Sequence, residues 1–535
     1  MSSRIALARG TAALAVVLVA GSLAPTAIAG PPVAAPATPP LRTNGAAVPA
    51  LDWTPCEAAP DYECATAEVP LSYRDPAGQQ IRLAVDKLPA ADQEHKLGTI
   101  FFNPGGPGNS GKRAPELTPQ LHQRFDIVGF DPRGIGESTG LSCFSEPGDG
   151  FHHWGTFPVS PEQERVQVED TMRGVEQCER NAGPLLQHTS TANVARDLDL
   201  LREAVGEDQL DYYGLSYGSH LGTVYANLFP ERVGSVAIDA VIDPIAWTTG
   251  YRPDEAFDPF SFRLGSYGGS QQALRTFLDA CAADERCAFR EPGTDLFGKY
   301  NALLDRLLVH PVTVTQPDGT PMEITYQTAA IRTLADLYGT TASSRLGEFL
   351  QRLHELSLPG AATEPAPVVS VPPEPQGWAG EAKQEQGLSV MCNDTSNPGN
   401  PWAWSDYARR ADEVGRGFGS YWTYWSLGCA NWPGGSDPDR YTGPWDRETA
   451  APLLVIANRQ GDPATPYEGA RRTSELLSRA RLLTLDSFGH GARGESACID
   501  RALNAYFTEG ALPAEGTICE PDRAPFDPAP APARR

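Results

Sequence analysis

The sequence predicts an α/β fold, in which a mostly parallel sheet is flanked by helices and carries a large, mainly helical lid insertion. Two blocks of the 535-residue chain, at about 97–244 and 451–508, alternate short apolar runs with helical patterns. Buried strands that alternate with helices form parallel sheets with right-handed crossovers. About 200 residues separate the two blocks, which is too long for a loop within a compact domain.

The local patterns predict where the main elements lie. Apolar runs in the first block predict strands at 98–102, 125–130, 210–213 and 233–238, and helical spacing predicts helices at 195–205 and 219–229. The second block is predicted to hold strands at 452–457 and 482–485 and helices at 466–477 and 497–507. Thr465 and Pro466 suit the N-cap and the first position of the helix that begins at 466. Between the blocks, helices are predicted at 296–308 and 342–356.

These patterns define the expected domain organisation. It comprises a signal peptide at 1–29, a leader at 30–50, two core segments at 51–244 and 451–510, a lid insertion at 245–450 and a tail at 511–535. The leader is rich in Pro and Ala and is expected to be flexible. The Pro-rich tail is expected to be disordered from Glu520 onward.

The N-terminus has the pattern of a secretory signal. Arg4 and Arg9 precede an apolar stretch, and residues 27–29 form a small-x-small cleavage site. The ten cysteines are even in number and include no C-x-x-C pair, which favours disulfides over zinc ligation or redox chemistry. Pairing of neighbouring cysteines along the chain is the simplest hypothesis. The protein is therefore expected to be secreted and extracellular.

Charge and composition exclude several classes of partner. A formal net charge of −24 argues against nucleic acid and against anionic membrane surfaces. No run of about 18 or more apolar residues follows the signal peptide, so no membrane anchor is expected. No His, Asp or Glu cluster has metal-ligand spacing, so neither a metal ion nor another cofactor is expected.

The sharpest chemical signal is Gly214-Leu215-Ser216-Tyr217-Gly218, which lies between a predicted strand and a predicted helix. In this context, G-x-S-x-G forms the tight turn that exposes a nucleophilic serine in the α/β-hydrolase fold. Side chains in place of the glycines would collide with the neighbouring strand and helix. The pattern therefore predicts Ser216 as the nucleophile, and the alternative is a structural Gly-Ser turn.

A serine hydroxyl needs a general base, and in this fold the acid and then the histidine follow the serine along the chain. His490 comes just after the last predicted strand, between two glycines that let its loop reach Ser216. It is the predicted base. Of the other histidines after Ser216, His220 is expected to be structural, while His310 and His354 lie in the insertion.

The acid that orients the histidine is predicted to be Asp462. It follows the strand at 452–457 directly and precedes His490 by 28 residues, enough for one helix and one strand. Its carboxylate would fix the imidazole tautomer and stabilise the imidazolium. Asp243 and Asp486 are the alternatives, and Asp462 could also be part of an ordinary Asp-Pro turn.

An oxyanion hole is predicted from two backbone N–H groups. One belongs to Tyr217, the residue after the nucleophile, and the other to the glycine-rich loop at 103–108. Pro107 has no N–H, so Gly106 is the first choice in that loop, with Gly105 and Gly108 as alternatives.

Together the motifs resemble the secreted bacterial tripeptidyl aminopeptidases. Asn103-Pro104-Gly105-Gly106-Pro107-Gly108 is similar to the His-Gly-Gly-Pro-Gly loop of prolyl aminopeptidases, with Asn-Pro in place of the histidine. The other matching segments are 130–134, 214–218, 461–466 and 489–491. The resemblance covers about residues 50–510 and is weak across the insertion. It implies an α/β-hydrolase serine peptidase that releases short peptides from substrates with a free N-terminus, with Ser216, Asp462 and His490 as its triad.

Two other functions share parts of this pattern. A secreted carboxylesterase or lipase would use the same triad, and a binding protein could keep the fold without activity. A lipase lid should present a large apolar face, whereas residues 251–262 mix aromatic and charged side chains. Asp254 and Glu255 are candidates to pair with a substrate ammonium, although each could equally be a solvated loop residue.

Overall fold

The computed structural model describes residues 41–528 apart from 147, 362–367, 370, 372–383 and 436. The predicted signal peptide, the leader up to residue 40 and the last residues of the tail, 529–535, lie outside the described residues.

A ten-stranded sheet forms the centre of the fold, and its strand order is β1-β2-β3-β5-β4-β6-β7-β10-β11-β12. The strands are β1 Thr54–Cys56, β2 Ala59–Pro70, β3 Gln80–Leu88, β4 Gly98–Asn103, β5 Phe125–Phe130, β6 Leu210–Leu215, β7 Val233–Asp239, β8 Val312–Thr315, β9 Pro321–Ile324, β10 Leu453–Asn458, β11 Ala480–Leu485 and β12 Ile518–Cys519. Strands β8 and β9 form a separate antiparallel hairpin. Within the ten-stranded sheet, the pairings from β5 to β12 in the strand order are parallel, whereas β1, β2 and β3 join antiparallel at one side. The predicted fold class is confirmed.

Helices cover both faces of the sheet. They are α1 Pro119–Arg124, α2 Pro161–Asn181, α3 Thr191–Ala204, α4 Tyr217–Leu228, α5 Pro244–Thr248, α6 Phe260–Leu264, α7 Ser266–Ala283, α8 Leu296–Val309, α9 Tyr326–Asp336, α10 Ser343–Leu356, α11 Gln384–Asp394, α12 Trp404–Asp412, α13 Phe418–Trp425, α14 Tyr467–Leu476 and α15 Ala497–Glu509. Side chains alternate along β4, so Phe101 packs with α3 and α4 while Ile100 and Phe102 pack with α1 and α15. Helices α5 to α13 and the β8–β9 hairpin form the insertion between β7 and β10.

All six predicted strands and all six predicted helices are present, with ends shifted by a few residues. The antiparallel strands β1 to β3 were missed, because β2 is largely exposed and lacks a clean apolar alternation. One helix start was wrong. Helix α14 begins at Tyr467 with Pro466 as its N-cap, and the Thr465 hydroxyl donates to Asp462 instead of capping the helix.

Both ends of the described chain are more ordered than the sequence predicted. The buried Arg196 guanidinium binds the Leu41 carbonyl oxygen through Nε, at 2.9 Å, which ties residues 41–50 to the domain. At the other end, β12 pairs with β11, and Phe526 is buried against Phe277. Disorder from Glu520 is therefore wrong for the described part of the tail.

The cysteine hypothesis is confirmed in full. Neighbouring cysteines pair as Cys56–Cys64, Cys143–Cys178, Cys281–Cys287, Cys392–Cys429 and Cys498–Cys519. Four of the disulfides close loops that lie within one segment of the core or within the insertion. The fifth, Cys498–Cys519, joins α15 to β12. In the described ranges, no helix combines the length and apolarity needed to cross a membrane.

The topology brings several loops to one edge of the sheet. Parallel strands place their carboxyl ends on the same side. Strands β4, β6, β10 and β11 therefore deliver the glycine-rich loop at 103–108, the turn at 214–218, the loop at 459–466 and the loop at 486–491 to that edge. These segments carry all the residues predicted to form the site.

A buried ion pair links the antiparallel strands to α3. The Arg133 guanidinium donates to both carboxylate oxygens of Asp197, at 2.7 Å and 2.5 Å, and also to the carbonyl oxygens of Pro70 and Leu71. Tyr73 donates to the same carboxylate at 2.7 Å. Both charged side chains are fully buried. Arg133 of the motif at 130–134 therefore has a structural role in this network.

We expect Arg133→Leu to lower the free energy of unfolding by about 3–5 kcal/mol, because Asp197 would be left as an uncompensated buried charge. Denaturant-induced unfolding followed by fluorescence and circular dichroism measures the change. The matched control is Arg165→Leu, which removes an exposed pair with Glu162 and Glu169 and should leave the unfolding midpoint nearly unchanged. Equal midpoints for the two variants would contradict this account.

Candidate active site

Ser216 occupies a strained turn between β6 and α4. Its backbone has φ 59° and ψ −122°, a conformation that residues with a Cβ rarely adopt. The turn has no room for side chains on either flank. A Cβ at Gly214 would lie 2.2 Å from the Gly218 carbonyl oxygen, and one at Gly218 would lie 2.5 Å from the Asn103 carbonyl oxygen. The glycines of the motif are therefore required by close backbone packing.

His490 and Asp462 form a direct hydrogen-bonded pair. Nδ1 of His490 lies 2.9 Å from Oδ1 and 3.0 Å from Oδ2 of the carboxylate. Asp462 also accepts from the backbone N–H groups of Ala464 and Thr465 and from the Thr465 hydroxyl, at 2.8–2.9 Å. These bonds fix the carboxylate, which is 1% exposed. Because Nδ1 is engaged, Nε2 is the nitrogen of His490 that remains for a proton acceptor.

The carboxylate changes the basicity of the imidazole. Burial lowers the pKa of His490, but the charge of Asp462 and its hydrogen bond raise it by more, with a smaller contribution from Asp239. The net pKa of His490 therefore lies above its ordinary value of 6.5. Such a pair produces a stronger general base that is neutral only above that pKa.

Two residues that the sequence did not single out hold the histidine loop. The backbone carbonyl oxygen of Tyr338, in the insertion, accepts a hydrogen bond from the His490 backbone N–H at 2.9 Å, and the centroid of the Tyr338 ring lies 5.1 Å from that of the imidazole. Asp239, at the end of β7, accepts from the N–H groups of Ala492 and Arg493 and from the Tyr213 hydroxyl. Its position at the carboxyl end of a buried strand could have signalled such a role, but nothing in the sequence marks Tyr338.

The alternative acids have other partners. Asp243 is the N-cap of α5, where Oδ1 accepts from the N–H groups of Ile245 and Ala246, and Oδ2 accepts from Arg472 at 2.8 Å. Asp486 pairs with Arg459 at 2.7 Å on the surface. Neither carboxylate contacts an imidazole, which leaves Asp462 as the partner of His490.

His220 is not part of the site. It is 1% exposed and packs between the rings of Trp247 and Trp445, with centroids 5.6 Å and 5.9 Å away. Burial lowers the pKa of His220 to about 3, so it stays neutral. His310 and His354 belong to the ends of α8 and α10 and do not line the cavity beside Ser216.

The glycine-rich loop packs directly against the Ser216 turn. A Cβ at Gly105 would lie 2.8 Å from the Ser216 Cβ, so only glycine fits there. The Gly105 N–H donates to the Asn103 side chain at 2.9 Å, whereas the Gly106 N–H finds no acceptor in the described part of the chain. Gly108 packs against Gly387 of α11 instead. The Gly106 N–H is thus left without a backbone acceptor among the described residues, and the oxyanion role of Gly106 and of Tyr217, the first residue of α4, stays a prediction.

A cavity of about 320 Å³ opens beside the serine and the histidine. Ser216, His490, Gly106 and Thr465 line it, and the remaining lining residues are Pro104, Asn109, Leu215, Ile242, Trp247, Leu264, Ser266, Tyr338, Trp422, Trp425 and Ala464. Both the core and the insertion contribute to it. None of these lining residues is an Asp, Glu, Lys or Arg.

The two acidic residues considered for ammonium binding lie elsewhere. The Glu255 carboxylate accepts from the backbone N–H groups of Tyr251 and Arg252, and 76% of the Asp254 side chain is exposed. Neither residue lines the cavity. Over the described ranges, no group of three or more His, Cys, Asp or Glu side chains could hold a metal ion.

Two family models match the chain. One, described as "alpha/beta hydrolase fold", covers residues 98–283, and the other, described as "TAP-like protein", covers residues 413–519. The first match contains the glycine-rich loop and Ser216, and the second contains Asp462 and His490.

Curated relatives match nearly the whole chain. "Tripeptidyl aminopeptidase" of Streptomyces coelicolor is 29% identical over 89% of this chain and 87% of its own length. "Serine protease Hip1" of Mycobacterium tuberculosis is 30% identical over 88% of this chain and 91% of its own. "Carboxylesterase B" of Mycobacterium tuberculosis is 31% identical over 92% of this chain and 95% of its own.

We expect Ser216→Ala to abolish covalent labelling by a fluorophosphonate and to lower kcat by about 10⁵–10⁶-fold, because the attacking oxygen is gone. The control is Ser474→Ala on α14, outside the cavity, which should label like the unaltered protein. Circular dichroism checks that both variants fold. Labelling of Ser216→Ala would show that another serine is the nucleophile.

The rise of kcat/KM with pH should have its midpoint above pH 6.5, because His490 accepts a proton only when neutral and Asp462 raises its pKa. In Asp462→Asn the raising charge is absent, so the midpoint should move to lower pH while the rate falls by about 10³–10⁴-fold. Full pH profiles of both proteins test this. An unchanged midpoint in Asp462→Asn would contradict the assignment.

Proposed function

The chain belongs to the TAP-like family of α/β-hydrolase serine peptidases, and on this premise we propose that it is an exopeptidase that releases tripeptides from free N-termini. Membership of the family confirms the resemblance drawn from the motifs and the prediction that the chain is a serine hydrolase. The observation that carries the proposal is the His490–Asp462 pair beside the strained Ser216 turn.

The proposed reaction is acyl transfer through the serine. Oγ of Ser216 attacks the carbonyl carbon of the scissile peptide bond while Nε2 of His490 takes its proton. The N–H groups of Tyr217 and Gly106 donate to the oxyanion of the tetrahedral intermediate. His490 then protonates the leaving amine, and a water molecule, activated by the same imidazole, releases the acyl peptide. Asp462 keeps Nδ1 protonated throughout and stabilises the imidazolium.

Two observations support the exopeptidase form of this reaction. Relatives of nearly full length include one named for tripeptidyl aminopeptidase activity. In addition, the insertion supplies Leu264, Tyr338, Trp422 and Trp425 to the wall of the cavity, which limits the space beside Ser216. A cleft enclosed in this way accommodates a short chain end more readily than the middle of a long polypeptide.

A carboxylesterase is the second candidate, and a specific observation favours it. The cavity is lined by aromatic and aliphatic side chains without an Asp or Glu, which suits an apolar acyl group. A relative named carboxylesterase B is 31% identical to this chain. The triad serves either substrate, so only the preferred acyl donor distinguishes the two enzymes.

We also propose that the protein is exported. The five disulfides are typical of proteins that fold in an oxidising compartment. The sequence of residues 1–29, which lie outside the described part, has the pattern of a signal peptide. Expression with and without those residues, followed by N-terminal sequencing of protein in the medium, tests this.

The test of function compares three substrates on one purified protein: a tripeptide amide with a free N-terminus, its N-acetylated form and a p-nitrophenyl ester. We expect kcat/KM for the free peptide to exceed that for the acetylated peptide by at least about tenfold, because acetylation adds bulk at the substrate N-terminus and removes the charge by which an exopeptidase recognises it. Mass spectrometry of longer peptides should show loss of three residues at a time.

The same assay in Ser216→Ala identifies any contaminating activity. Equal hydrolysis of free and acetylated peptides would contradict the exopeptidase proposal. Efficient ester hydrolysis with little peptide hydrolysis would move the assignment to the carboxylesterase.

A further inference from the structure

Most of the wall of the cavity beside Ser216 is aromatic or aliphatic, and Asn109, Ser266 and Tyr338 add polar side chains to it. Trp247, Trp422 and Trp425 form much of its wall. The indole N–H of Trp422 donates to the Ser270 hydroxyl at 2.9 Å, and that of Trp247 donates to Asp394 at 3.2 Å. These polar atoms are committed to neighbours outside the cavity, so both rings can give a ligand only apolar contact.

Among the residues that line this cavity in the described part of the chain, none offers a carboxylate to a charged group. Two carboxylates contact residues of its wall, and one of them, Asp394, lies behind Trp247 and is 3% exposed. It already accepts from the Thr191 N–H at 2.7 Å, the Thr191 hydroxyl at 2.5 Å and the Trp247 indole. The Asp462 carboxylate is held by His490 and Thr465. An ammonium or guanidinium in the cavity would therefore be buried without a partner.

We propose that this cavity binds an uncharged, apolar side chain of the substrate residue whose carbonyl carbon Ser216 attacks, and that the substrate ammonium stays outside it. Ser216 and Gly106 line the cavity, so the side chain next to the attacked carbonyl is the part of the substrate that can enter it most directly. Its volume of about 320 Å³ accommodates one large side chain. The inference rests on the proposed function of Ser216 as the peptidase nucleophile.

A series of tripeptide p-nitroanilides that differ only at the attacked residue tests the inference on the unaltered protein. Leu and Phe should give kcat/KM values at least about 10- to 100-fold above Lys and Glu, since only the former gain from burial without leaving a charge unpaired. Equal or faster cleavage after Lys or Glu would overturn the proposal.

A pair of matched variants tests the same point from the side of the protein. Leu264 ends α6, lines the cavity and is half-buried, so a polar replacement there is tolerable to the fold. Leu264→Asp should raise the ratio of Lys to Leu cleavage by at least about tenfold, because it supplies the missing carboxylate. Leu264→Asn, of the same size without the charge, should lower Leu cleavage and leave Lys cleavage poor.

Labelling by a small fluorophosphonate separates this inference from the proposed function. If the unaltered protein labels at Ser216 and hydrolyses peptides without preference at the attacked residue, the cavity proposal alone fails. If it labels but hydrolyses no peptide of the series, the proposed function fails and the cavity proposal fails with it. Labelling of both Leu264 variants shows that each has folded. If either variant does not label, the comparison of Leu, Phe, Lys and Glu substrates on the unaltered protein decides.

Discussion

The site depends on how closely three backbone segments approach one another at Ser216. The glycine-rich loop after β4, the turn after β6 and the end of β4 itself are in van der Waals contact, so that a Cβ at Gly105, Gly214 or Gly218 would overlap a neighbouring atom. This crowding holds Ser216 at φ 59°. It also brings the Gly106 N–H to the same cavity as the serine. Strain at one residue is thus sustained by packing of the parallel strands beneath it.

The insertion between β7 and β10 contributes directly to the candidate site. Helix α7 packs against the acid loop so tightly that a Cβ at Gly269 would lie 2.1 Å from the Asp462 carbonyl oxygen. The Tyr338 carbonyl oxygen accepts a hydrogen bond from the His490 backbone N–H. Helix α13 contributes Trp422 and Trp425 to the cavity. A change in the insertion can therefore alter both the position of the histidine and the side chain that the enzyme accepts, which links specificity to catalytic geometry.

The fold class and the residues of the candidate triad could be predicted because each has a local signature in the sequence, whereas the antiparallel strands β1 to β3 have none. Strands β4, β6 and β10 are short apolar runs, and Gly214 and Gly218 flank the serine at fixed spacing. The contribution of Tyr338 could not be predicted, and that of Asp239 was signalled only by its place at the end of β7, since both act through contacts between segments far apart in the chain. The prediction for Thr465 was wrong for the same reason. Its place before Pro466 indicates a helix N-cap, but in the folded loop its hydroxyl donates to Asp462.

The central claim is that Ser216 carries the released peptide as a covalent acyl intermediate. The most direct measurement is intact-protein mass spectrometry after rapid acid quench during turnover of a tripeptide p-nitrophenyl ester, followed by peptide mapping. The account predicts a mass increase equal to the tripeptidyl group, located on the peptide that contains Ser216 and absent from Ser216→Ala. An acyl group on another residue, or turnover of the ester by Ser216→Ala at the unaltered rate, would contradict it.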